Sequence, residues 1–193
     1  MTRTAVAGCA LLAAACAASR GEPAPLAAAA TSVARNPVVA FMQGMIGHHA
    51  QALDMTGLVP SRSSHPGLKL LAERIDVSQR SEIDLMRRWL RGRGHALPGV
   101  DAHAHAAMGH GELMPGMLTR EQLGELAAAQ GTPFDRLFLQ RMIRHHEGAL
   151  QMVSQLLATN RDLDAETFRF VSDVDADQRA EIQRMQSLLR SMP

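Results

Sequence analysis

Two pairs of adjacent histidines, His48-His49 and His145-His146, stand in this chain beside methionines at matched spacing. Met45 and Met55 flank the first pair, and Met142 and Met152 flank the second. Imidazole binds copper and zinc alike, whereas thioether sulfur is a soft ligand suited to Cu(I). The chemistry these residue types offer is therefore metal ligation. The pattern Phe41-x-Gln43-x-Met45-Ile46-x-His48-His49-x-x-Ala52-Leu53-x-Met55 returns as Phe138-x-Gln140-x-Met142-Ile143-x-His145-His146-x-x-Ala149-Leu150-x-Met152, at the single offset 138 − 41 = 97. Composition alone does not produce such a match.

On a helix, at about 100° per residue, Phe41, Met45, His48, His49, Ala52 and Met55 share one side. Met45 reaches His48 at i, i+3 and His49 at i, i+4, so thioether and imidazoles can meet locally. Met142, His145, His146 and Met152 repeat the arrangement. A second match supplies partners. Asp76, Gln79, Arg80, Glu82, Ile83, Met86 and Leu90 align with Asp175, Gln178, Arg179, Glu181, Ile182, Met185 and Leu189, at offset 181 − 82 = 99. Asp76, Gln79 and Glu82, with Asp175, Gln178 and Glu181, lie in or beside an apolar stripe, while Arg80 points away. They are expected to accept hydrogen bonds from the histidines. A plainer role is open to the same residues. The His pairs could simply satisfy buried carboxylates and amides, with Met45 and Met55 as flexible core filler. The two roles are compatible, because a ligating His normally sets its other nitrogen on a carboxylate.

A third group lies between the matches. His103, His105, Met108, His110, Met114 and Met117 fall in a Gly/Ala/Pro-rich stretch with little apolar bulk to bury. His-rich tracts of this kind are a compositional sign of metal binding, and this one reads as a weaker, mobile site. Zinc would be expected to use more acid or thiolate, so the methionines tilt the choice to copper as Cu(I). A di-iron centre wants Glu-x-x-His on two helices, which Glu82 and Glu181 do not provide. No Ser sits in a nucleophile-elbow pattern, so no catalytic residue is assigned. A formal net charge of +1, no Tyr and one Trp argue against nucleic-acid binding.

The elements that would carry these residues announce themselves through caps. Asn36-Pro37 opens a helix expected to run to about Leu58, before Pro60. Ser64-His65-Pro66 opens a second, ending near Arg91 with Gly92 as its stop. Thr119-x-x-Gln122 is a capping box, Thr132-Pro133 opens another long helix, and the Asp162 to Asp164 region opens the last. No stretch alternates with period two. The expected fold is all-α: a four-helix bundle of two repeated hairpins, 37–91 and 133–191, joined by a linker, 92–118, and a short helix, 119–130. Residues 1–18 read as a signal peptide holding both cysteines, Cys9 and Cys16, and Cys16 follows an imperfect lipobox. Residues 19–36 read as a flexible tether.

The motifs resemble a known family. Phe41-x-x-x-Met45-Ile46-x-His48-His49-x-x-Ala52, Gln79-x-x-Glu82-Ile83-x-x-Met86-x-x-Trp89-Leu90, Met114-Pro115-Gly116-Met117-Leu118 and Phe134-Asp135-x-x-Phe138-Leu139-x-x-Met142-Ile143-x-His145-His146-Glu147-Gly148-Ala149 are similar to the bacterial domain of unknown function 305, over about residues 37 to 190. The resemblance implies an exported, ferritin-like helical domain, and some members are associated with copper binding or tolerance. Gly47, and Leu188 where the first copy has Trp89, depart from the pattern without touching the His pairs. The expectation is an exported periplasmic or envelope-lipoprotein domain that sequesters Cu(I) or hands it on, to other envelope copper-handling proteins among its partners. It meets the membrane only through a lipid anchor. A structural bundle and a metal-dependent oxidoreductase are the alternatives.

Overall fold

The structure, a computed structural model, describes residues 1–2, 36–98 and 113–192. Cys9, Cys16, the tether as far as Arg35, His103, His105, Met108 and His110 lie outside the described residues, and Asn36 belongs to the cap of the first helix.

Helix α1, Pro37–Thr56, begins where Asn36 accepts a hydrogen bond from the Val38 amide at 2.9 Å and Pro37 occupies the first turn. It ends slightly earlier than its sequence pattern suggests, and Pro60 sits inside a four-residue helix, α2, Val59–Arg62. That position suits proline, whose missing N–H would have no partner in a first turn. Helix α3, Pro66–Gly92, takes its cap from the His65 imidazole, which accepts from the Leu68 amide at 3.3 Å. Gly92 stays within the helix, and the left-handed residue that turns the chain is Gly94, at φ 72°. In α4, Arg120–Ala128, both bonds of the Thr119/Gln122 capping box are made. Helix α5, Gly131–Thr159, starts just before the expected Thr132-Pro133. Helix α6, Ala165–Ser191, is capped by Asp164, which accepts from the Thr167 amide at 2.9 Å.

The fold is all-α, a bundle in which α1 pairs with α3 and α5 with α6, while α1 also packs on α5 and α3 on α6. Its interior holds two apolar clusters. One gathers Ala52, Met55, Ile75, Phe138, Met142, Ile182 and Met185. The other gathers Phe41, Met45, Ile83, Met86, Ala149, Val153 and Val174. Every long helix contributes to both, and on each a buried polar position intervenes: His48 and His49 on α1, Gln79 and Glu82 on α3, His145 and His146 on α5, Gln178 and Glu181 on α6. The core is thus two apolar blocks around a polar layer. Trp89 ties the ends of α3 and α6, its Nε1–H donating to Thr167 Oγ1 at 2.9 Å in the interior. Among the described residues no helix is long and apolar enough to cross a membrane.

Candidate metal centre

The four imidazoles of the polar layer are at most 1 % exposed. The His48 and His145 rings stack obliquely, with centroids 3.9 Å apart and planes inclined by 38°. Behind them, His49 Nε2 donates to Glu82 Oε2 at 2.5 Å, and His146 Nε2 donates to Glu181 Oε2 at 2.7 Å. A carboxylate can only accept, so the protonated nitrogen is fixed in both pairs. His48 Nε2 likewise donates to the Pro115 carbonyl at 3.0 Å. Each of these three side chains therefore spends one nitrogen on an oxygen. Nδ1 of His48, His49 and His146, and Nε2 of His145, are buried with no hydrogen-bond partner among the described residues. Gln79 Oε1 and both amide atoms of Gln178 share that condition.

Burial, reinforced by the neighbouring His49, lowers the His48 pKa to about 3, although its bond to Pro115 acts in the other direction. Burial, followed by the facing His48, also holds His145 well below the ordinary imidazole range. Both rings are neutral at physiological pH. His48 then carries a free lone pair on Nδ1, which is what a metal ligand needs.

A short strap closes one side of the layer. Gln51 on α1 grips Leu118, accepting from its amide at 2.7 Å and donating to its carbonyl at 2.9 Å. Pro115 and Gly116 press on α5 so closely that a methyl at Gly148 would lie 1.9 Å from the Pro115 carbonyl oxygen. A methyl at Gly116, where φ is 78°, would lie 2.5 Å from the Arg144 carbonyl oxygen. Only glycine fits at either position.

The expected site residues divide. His48, His49, His145, His146, Gln79, Glu82, Gln178 and Glu181 meet in one layer. Asp76 and Asp175 do not reach the histidines: they are half-buried and bonded at 2.7 Å to Arg80 and Arg179 on their own helices. An acid one turn from Gln79 has rotated past the inner face, and an arginine at i+4 captures it. Met45 is fully buried in one apolar cluster, and Met55 and Met142 in the other. Met152 packs at the margin, its methyl 3.6 Å from where a Cβ would stand on Gly44, and Met114 Sδ is 3.2 Å from the same point. Met114 and Met117 do not belong to a free loop, because the strap lays Met114 on α1 and buries Met117. Among the described residues no group of three His, Cys, Asp or Glu side chains is placed to hold one metal ion. Nitrogen and oxygen donors alone make no cage here, and any site in this layer needs sulfur or a shift of the rings.

The sequence reading gives Pro115, Gly116 and Gly148 only as parts of family motifs and gives Gln51 no role, so the strap itself is new in the structure. A signal was present. Position 51 aligns with 148 at the offset of 97, and there one copy has an amide and the other a glycine inside a helix, a residue that costs about 1 kcal/mol relative to Ala.

The family described as a domain of unknown function, DUF305, matches residues 39–189. The chain belongs to the DUF305 family. It is similar to a DUF305 fragment from Deinococcus radiodurans, at 32% identity and TM-score 0.68, over 79% of this chain and 95% of that one. A DUF305 protein from Streptomyces coelicolor that carries the description of a secreted protein is 28% identical, at TM-score 0.67, over 81% and 94%. CopM in its Cu(II)-bound form is 32% identical, at TM-score 0.64, over 79% and 95%. CopM also matches in Ag-bound, Cu(I)-bound and apo forms. No curated protein matches the sequence at a significant level.

Proposed function

We propose that this DUF305 domain binds copper, as Cu(I), and sequesters it or passes it on without catalysing a reaction. The observation that carries the reading is the buried Nδ1 of His48, His49 and His146 left without partners, in rings whose other nitrogens are oriented by Pro115, Glu82 and Glu181. That division of labour between the two ring nitrogens is how ligating histidines are held. A purely structural layer would be expected to satisfy both, since a buried polar atom without a partner costs about 1–3 kcal/mol. The copper- and silver-bound forms of CopM support the same choice of metal. Met45, His48, His49, Met142, His145 and His146 would be the helix ligands. Met55 and Met152 are further thioethers, and His103, His105, Met108 and His110 a weaker site. Thioether beside imidazole favours Cu(I) over zinc or iron.

The reading includes export. The signal-like residues 1–18 support it, as does the secreted description of the Streptomyces coelicolor relative. Lipidation of Cys16 would follow from the lipobox. The two hairpins would be copies of one unit, a view supported by the matched His49–Glu82 and His146–Glu181 pairs. The test is metal analysis of protein isolated from the envelope of copper-supplemented cells, with competition between Cu(I) and Zn(II). Bound copper that excess zinc does not displace is expected. Zinc-loaded or metal-free protein from the same cells contradicts the reading.

A further inference from the structure

The outer face of α3 and α6 carries a pattern that metal binding does not use. Along α3, Leu70, Val77 and Leu85 are 51 %, 64 % and 43 % exposed. Their spacings are 77 − 70 = 7 and 85 − 77 = 8 residues, about two turns each way, so they lie within about 80° on one side of the helix. Two grooves of similar size lie between α3 and α6, one beside Leu70 and the other running from Val77 to Leu85. The one beside Leu70, about 350 Å³, is lined by Arg74 and Arg184. The one beside Leu85, about 360 Å³, is lined by Asp173 and Asp177. Among the described residues none of these four charges forms an ion pair, although Arg184 acts on Asp177 at a distance along α6. Arg74 and Arg184 stand at the Leu70 end, and Asp173 and Asp177 at the Leu85 end, where Arg88 is also exposed.

We propose that this face is the interface of a two-fold homodimer, with the second copy antiparallel about an axis through Val77. A two-fold interface joins a patch to itself with its direction reversed. Reversal brings Leu70 to Leu85 of the second copy and Val77 to Val77. It also lays the Arg184 groove over the Asp173 groove, so that unpaired arginines meet unpaired carboxylates. The opposite reversal-free pairing would set Arg on Arg and Asp on Asp. A line of exposed large aliphatics on a charged helix face is otherwise a liability in water, and the proposed contact covers all three.

Sedimentation velocity at micromolar protein tests this, with circular dichroism confirming that every variant is folded. The wild type is expected to sediment as a dimer that weakens with salt. Arg184→Glu and Asp173→Arg should each raise the dimer Kd about tenfold or more, because each change counts twice in a two-fold contact. The chain carrying both changes should recover most of the affinity. Val77→Cys should cross-link to itself under mild oxidation, whereas Leu157→Cys, exposed on α5, should not. A wild type that stays monomeric, a double variant no better than the singles, or equal cross-linking of the two cysteine variants would each overturn the proposal.

Discussion

Gly148→Ala gives a prediction whose sign separates two accounts of the strap. Alanine is the better residue inside a helix by about 1 kcal/mol, so on an unencumbered α5 the substitution stabilises the protein. In this structure the added methyl would sit 1.9 Å from the Pro115 carbonyl oxygen and 2.3 Å from its carbon, contacts made by backbone that cannot rotate away. The strap has to lift. It takes with it the His48 bond to Pro115 and both Gln51 bonds to Leu118, at roughly 1 kcal/mol each. Leu118 and Met117, 1 % and 5 % exposed, lose burial that contributes about 1.5–3 kcal/mol apiece. Against these losses, five residues recover freedom at about 1 kcal/mol each. The balance is a destabilisation of about 1–4 kcal/mol, which the gain in helix propensity reduces to at most about 3. Urea unfolding followed by circular dichroism measures it, and proteolysis near residue 116 should accelerate in parallel. A Gly148→Ala protein as stable as the wild type, or more so, refutes the packing argument.

Other outcomes follow from the polar layer. His48 is held near pKa 3 in the fold against 6.5 when free, so between those values the unfolded chain binds a proton that the fold refuses. Stability of the metal-free protein should be full above pH 6.5 and fall toward pH 3, by about 2 kcal/mol at pH 5 from His48 alone. His145 acts in the same direction, and His48→Gln should flatten the slope in urea titrations across that range. Glu82→Ala and Glu181→Ala each strand a buried imidazole N–H. Both should lower the urea midpoint, by about 1–3 kcal/mol in stability, and to similar extents if the two hairpins are equivalent. Trp89→Phe removes the indole N–H bond to Thr167 and should cost about 1 kcal/mol, measurable as a drop in Tm.

The sequence made the bundle legible because its signals were local. Asn36-Pro37, Thr119-x-x-Gln122 and Asp164 each cap a helix with their own side chains, within three residues of where they stand. The His-on-Glu pairing was legible as well, since two hairpins carrying the same residues at offsets of 97 and 99 constrain each other. What could not be read was contact made over a distance by backbone. The Pro115 carbonyl is 67 residues from His48, and no side-chain pattern marks an oxygen that every residue possesses. Asp76 was placed with the layer because it lies near the stripe edge. The structure gives it to Arg80, a competition between two neighbours that helical angle alone does not decide. Met117 was counted with the loop on composition, but its neighbour Leu118 is gripped by Gln51 and brings it into the core.

Copper binding rests on the imidazole nitrogens that have no hydrogen-bond partner. Cu(I) titration against a chromogenic competitor tests it most directly, comparing the wild type with the protein in which His48, His49, His145 and His146 are all alanine. A second variant, lacking only residues 103–110 so that the strap is spared, tests the loop separately. The quadruple variant is expected to lose the tightest Cu(I) equivalents, and the deletion only weaker ones. Wild-type affinity is expected to decline as pH falls, because a proton and a metal compete for the same nitrogen. Unchanged copper affinity in the quadruple variant, accompanied by a collapse of thermal stability, would contradict the account and leave the four histidines as structure alone.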